Sequence, residues 1–145
     1  MKQLQPMRRY KPATLWLLCM TILLQLGAGA RATDEQKFVQ VSLVSLIATP
    51  DKYDGMLVMV KGIAHLDNKT SMYAIFLTRE DKRAGNGLNG IYLVLASSLA
   101  NVDRFNDNYI LVRGLFEAKN KGHLDSFSGS LTNVDLIRPI PLDIK

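Results

Sequence analysis

Cysteine is almost absent: the 145-residue chain has one, Cys19. A single thiol excludes an intramolecular disulfide. There are two histidines, His65 and His123, so a zinc centre, which needs about four converging ligands, is not expected. Acidic residues are missing from the first 32 positions, which carry Lys2, Arg8, Arg9, Lys11 and Arg31. The whole formal charge of +5 lies in that stretch, and beyond it 13 Lys and Arg balance 13 Asp and Glu. The balanced part lacks the basic stripe with which proteins grip nucleic-acid backbones.

Long apolar runs are scarce as well. The exception spans 13–26, between the basic positions and the small residues Gly27-Ala28-Gly29-Ala30-Arg31-Ala32. A basic start, an apolar middle and a small-residue end describe a cleavable secretory leader. Ala30 and Ala32 fit the peptidase positions and start the mature chain at Thr33; Ala28 and Ala30 offer a second register. An uncleaved anchor would need about 20 apolar residues, more than this run supplies. Cys19 follows Leu18 inside the run, whereas a lipid-attachment cysteine follows a small residue at its end. The expected organisation is a signal peptide over 1–32, a flexible lead-in over 33–40 and one folded domain over 41–145. The product is periplasmic or secreted, with no stable membrane anchor after cleavage. Lacking disulfides, it must hold itself by its core, for which its size suffices.

Periodicity in the domain is mostly that of strands. Ser42 reads as the cap of a short helix with Leu43, Leu46 and Ile47 on one face, stopped at Pro50. Asp51 to Gly55 is a turn. Strands are expected over 56–66, 72–77, 91–95, 109–117 and 128–138. Leu131, Val134 and Leu136 are the core candidates of the last. Residues 78–90 read as a long, charged, glycine-rich hairpin connection, and 97–105 as a short helix or loop. Residues 53–62 and 105–114 echo each other at an offset of 52, aligning Val60 with Val112, Lys61 with Arg113 and Gly62 with Gly114. Glycines at Gly55, Gly62, Gly114 and Gly129 mark turns or bends. Long strands bent at a glycine can pair on both sides, which suits a small closed barrel. The fold expected is all-β with one or two short helices: a five-stranded Greek-key barrel.

Leu46-x3-Pro50-x2-Tyr53-x-Gly55-x2-Val58-x-Val60-x-Gly62, then Tyr109-x2-Val112-x-Gly114, resembles small exported bacterial OB-fold domains of poorly characterised function. The tail Gly122-His123-x4-Ser128-Gly129-x-Leu131-x2-Val134 is similar to the same group. The resemblance covers about residues 41–138 and implies a binding module.

Catalytic and cofactor signatures are missing. Ser126, Ser128 and Ser130 lie near His123, yet no G-x-S-x-G elbow surrounds them. Gly85-Asn86-Gly87-Leu88-Asn89-Gly90 matches G-x-G-x-x-G but precedes a strand, whereas the dinucleotide fingerprint follows one. No enzyme activity, metal or cofactor is expected. Asn68-Lys69-Thr70 is a glycosylation sequon that matters only in a eukaryotic secretory pathway.

Recognition is expected at two places. One is the charged 78–90 connection, with Arg79, Lys82 and Arg83 against Glu80 and Asp81. The other is the open face of the second and third strands, with Tyr73, Phe76 and Tyr92. Alternation sends Tyr73 and Phe76 to opposite faces, so at most one joins Tyr92; the ordinary alternative is that these are core or rim aromatics. The expected function is an exported non-catalytic binding module for a protein or an envelope polymer such as a glycan. A small inhibitor or immunity-type protein is the alternative, and a single-stranded nucleic-acid binder is disfavoured by neutrality.

Overall fold

The computed structural model describes residues 37–141. The leader read over 1–32 and the start of the lead-in lie outside the described residues. Six strands and two short helices account for most of the rest. They are β1 (Val39–Gln40), α1 (Leu43–Ala48), β2 (Leu57–Asp67), β3 (Met72–Phe76), α2 (Arg79–Ala84), β4 (Gly90–Leu95), β5 (Tyr109–Glu117) and β6 (Ser130–Pro139).

α1 starts as its sequence demands. Ser42 Oγ accepts from the Ser45 backbone N–H at 3.1 Å, and Leu43 and Leu46 turn inward, 4% and 0% exposed. β2 then forms the spine of the sheet. Its first part, Leu57 to Ile63, pairs antiparallel with β5; its last part, Ile63 to Asp67, pairs antiparallel with β3. Gly62 stands at the hand-over. A Cβ there would lie 3.1 Å from both Ile75 Cβ and the Phe76 carbonyl oxygen, so a side chain would crowd the neighbouring strand.

From β3 the pairing passes antiparallel to β4, parallel to β6, antiparallel to β5 and back to β2, so the ring of strand pairs closes on itself. The inward positions alternate down each strand: Val58, Val60, Ala64 and Leu66 on β2, Ile110, Val112 and Phe116 on β5. Each of these valine, leucine, isoleucine and phenylalanine side chains, fully buried, contributes about 1.5–3 kcal/mol. Val60 and Val112, matched by the sequence echo, face each other across the β2–β5 pair.

Four local readings change. Val39–Gln40, inside the expected lead-in, adds a sixth strand parallel to β2, tied by Val41 N–H to the Met59 carbonyl at 2.9 Å. Residues 78–90 are not a plain loop. They hold α2, capped by Thr78 at its start and by Gly85 at φ +64° at its end, and then a 3-10 turn over Gly87–Asn89. The expected helix or loop over 97–105 is a 3-10 turn restricted to Val102–Phe105. Ile137, rather than Leu136, takes the buried place on β6, because a bulge between Leu131 and Leu136 shifts the phase of alternation.

Candidate functional site

α2 contains no apolar stripe, and side-chain hydrogen bonds hold it instead. Asp81 Oδ1 accepts from the amides of Asn86 (3.0 Å) and Asn89 (2.8 Å), while Oδ2 accepts from Thr78 Oγ1 at 2.6 Å. These bonds, Thr78 foremost, hold the Asp81 carboxyl below the usual range. The expected partner-binding cations are divided. Lys82 folds back so that Nζ donates to Asn106 Oδ1 (2.9 Å) and Asp107 Oδ1 (2.6 Å). Arg79 Nη1 donates to the Asp107 carbonyl at 2.8 Å. Arg83 projects outward, 77% exposed, 4.0 Å from Glu80. Two of the three thus fasten α2 to the segment preceding β5.

Tyr73 and Tyr92 lie on opposite faces. Tyr73 packs against the main core, with its hydroxyl donating to Asn68 Oδ1 of the sequon at 3.2 Å. Tyr92 faces outward beside Ala74, its register partner. Phe76 is the aromatic that shares its side. The shared partner is Phe127, from the loop between β5 and β6: its ring lies 6.1 Å from Phe76 and 5.5 Å from Tyr92. Phe127 is 1% exposed, so the loop covers the outward face of β3 and β4 around Ala74, Phe76 and Tyr92. What remains is a cavity of 130 Å³ between Thr70, Ser71, Met72, Tyr92 and His123.

The covering loop is internally hydrogen-bonded and strained. Phe127 N–H donates to Lys121 O at 3.1 Å, and Gly122 N–H to Asn120 Oδ1 at 3.2 Å. Gly122, at φ +63°, abuts the Tyr92 ring where a Cβ would clash. Leu124 and Asp125 also have left-handed backbones, at φ +55° and +52°. Leu124 is 82% exposed. A left-handed leucine costs about 1–2 kcal/mol, and here no burial of its side chain offsets that. Leu88, 65% exposed, stands on the neighbouring 3-10 turn. Ser128 Oγ fastens the two segments by donating to Leu88 O at 2.6 Å. Leu124 and Leu88 escape sequence reasoning; the only cue is an apolar residue amid Lys119 to Ser126.

Two of the serines near His123 are hydrogen-bonded to backbone carbonyls, and the third opens β6. Ser128 Oγ is committed to Leu88, Ser126 Oγ donates to Leu124 O at 3.3 Å, and Ser130 is wholly buried. His65, on β2, stands edge-on to Phe76 with centroids 6.4 Å apart. Burial, then the nearby Lys82 charge, lowers its pKa from the ordinary 6.5. Among the described residues no three His, Cys, Asp or Glu converge as a metal site requires. None of the helices described is long and apolar enough to cross a membrane.

No family model matches the sequence, and no curated protein matches it. Similar solved structures include a DUF3299 family protein from Pseudomonas aeruginosa PAO1, 12% identical, with a TM-score of 0.46 over 63% of this chain and 66% of that one. A protein assigned as an aspartyl-tRNA synthetase from Leishmania major Friedlin is 10% identical, with a TM-score of 0.42 over 86% of this chain and 26% of that one. The likeness therefore takes in only part of either structure, 66% of the first and 26% of the second.

Proposed function

We propose that this protein is an exported, non-catalytic protein-binding module on an OB-type Greek-key barrel, with the loop that carries Leu124 as its recognition finger. The barrel assignment is supported by the closed ring of pairs with one parallel contact, β4–β6, the order of a five-stranded Greek-key barrel. Export is supported by the basic start, apolar run and Ala30/Ala32 pattern. The observation that carries the function is Leu124 itself. A large apolar side chain is 82% exposed on a left-handed backbone within a tightly bonded loop. Strain of this kind is found at binding and switch sites, where surrounding structure enforces it. Leu88, exposed on the segment to which Ser128 ties the loop, adds a second apolar side chain, and a finger held by its own hydrogen bonds loses little entropy on docking. A stacking platform for single strands is disfavoured: Phe76 is buried, Tyr73 faces the core, and the mature part is neutral.

Photo-crosslinking tests the finger. A benzophenone side chain placed at position 124 should give a discrete protein adduct in intact cells, and one placed at exposed Ser98 should not. Equal adducts at both positions would remove the finger from recognition. Inhibition of an enzyme is a specific form of the same role, since an apolar tip on a stiff loop can plug a cleft; a lytic enzyme as the adduct would identify it. Edman sequencing of the exported protein should begin at Thr33, or at Arg31 for the second register.

A further inference from the structure

The β5–β6 pairing is broken once. Arg113 faces Leu136 and Leu115 faces Thr132, so Gly114 alone stands against Asn133, Val134 and Asp135. Val134 still turns into the core, fully buried, whereas Asn133 and Asp135 are both exposed. Asn133 has a left-handed backbone, φ +50°, within the bulge. Gly114 is required opposite: a Cβ there would meet Thr132 O at 2.8 Å.

The bulge borders a groove of 550 Å³. Leu57, Gly114 and Leu115 supply apolar surface, Asn133 and Asp135 polar groups, and Phe38 an aromatic ring. Arg113 binds Asp135 through two parallel bonds, Nε to Oδ1 and Nη2 to Oδ2, both 2.8 Å. Its guanidinium carbon also lies 4.6 Å from the centre of the Phe38 ring. The carboxylate is thus charge-compensated but keeps lone pairs free to accept, and the Asn133 amide both donates and accepts.

The geometry points to a binding site for a neutral saccharide in this groove, independent of the finger's role. A sugar ring presents an apolar C–H face and an edge of hydroxyls that donate and accept. The groove pairs apolar surface with a rim of both hydrogen-bonding senses and no net charge. A purely apolar chain would strip water from Asn133 and Asp135 without replacing those bonds. An anion would meet the Asp135 carboxylate, and a cation the Arg113 guanidinium. The volume falls within the range of small-ligand sites and exceeds that of the Tyr92 cavity four-fold.

N,N′-diacetylchitobiose is the probe, with sialyllactose as the anionic comparison. Nitrogen-15-labelled protein, expressed with its own leader, is titrated with each while backbone amide signals are followed. Saturable shifts are expected at Leu57, Gly114, Leu115, Asn133 and Asp135. Asn133→Gly keeps the left-handed backbone and deletes the amide; it should weaken binding at least about tenfold and leave distant signals in place. Phe38→Ala should weaken it too. The site is overturned by no saturation at about 10 mM disaccharide, by shifts centred on Tyr92 and His123, by unchanged affinity in Asn133→Gly, or by tighter binding of sialyllactose.

Discussion

Lys82 Nζ lies 2.6 Å from Asp107 Oδ1, and the lysine is the sheltered partner: its side chain is 11% exposed, that of the aspartate 67%. Asn106 Oδ1 receives the same ammonium and the Leu66 backbone N–H, at 2.9 and 3.0 Å. Helix α2, the approach to β5 and the end of β2 are therefore joined through one side-chain head group.

Lys82→Met should consequently lower stability by about 1–2 kcal/mol, a charged hydrogen bond discounted for the exposure of Asp107. Arg83→Ala, at the solvent-facing position of the same helix, should change it by no more than about 0.5 kcal/mol. Urea unfolding of both variants checks the contrast. Equal losses would mean that α2 is not anchored through Lys82.

Acid should destabilise the fold in two stages. Burial and Lys82 lower the His65 pKa, so the unfolded chain takes up that proton first. Its share of stability is complete above 6.5 and is lost as pH falls through the lower folded value. Asp107, chiefly through its bond from Lys82, and Asp135, chiefly through its bonds from Arg113, also have lowered values. Their share is complete above 3.8 and is lost as pH falls through theirs. Urea midpoints at about pH 7, 5 and 3 should step down twice, and His65→Phe should abolish only the upper step.

The strands were the legible part of the fold. Expected boundaries at 56–66, 72–77, 91–95 and 109–117 fall within one residue of β2, β3, β4 and β5 at each end, because alternating apolar residues and bounding turns are local signals. Ser42 as a cap and Gly62 as a bend are local as well. α2 was not legible, since Asp81, Asn86 and Asn89 hold it through bonds that leave no apolar period. β1 is two residues long, too short to show one. Ile137 displaced Leu136 because the extra residues around Asn133 change the phase. At the candidate site, alternation separated Tyr73 from Phe76. That Phe127 would cover Tyr92 depends on where a loop returns, and the exposure of Leu124 depends on a left-handed backbone; neither is written in spacing.

Leu124→Asn should separate stability from recognition. Asparagine tolerates the left-handed conformation, so the fold should gain about 0.5–1 kcal/mol while the crosslinked adduct, probed from Leu88, disappears. A variant that is more stable and still captures its partner would leave Leu124 without a recognition role.

Phe127→Ala should cost about 3 kcal/mol, as for other buried aromatics truncated in a core. It should also uncover Phe76 and Tyr92, detected as new binding of a hydrophobic dye below the unfolding transition. Loss of stability with no dye binding would mean that the loop closes over the gap.

The pairing of Val60 with Val112 has an outcome for the protein in concentrated solution. Residues related by the offset of 52 meet at that pair, which makes the β2–β5 ribbon locally two-fold symmetric. A strand built to the same template as its neighbour offers a second molecule the edge it offers its own.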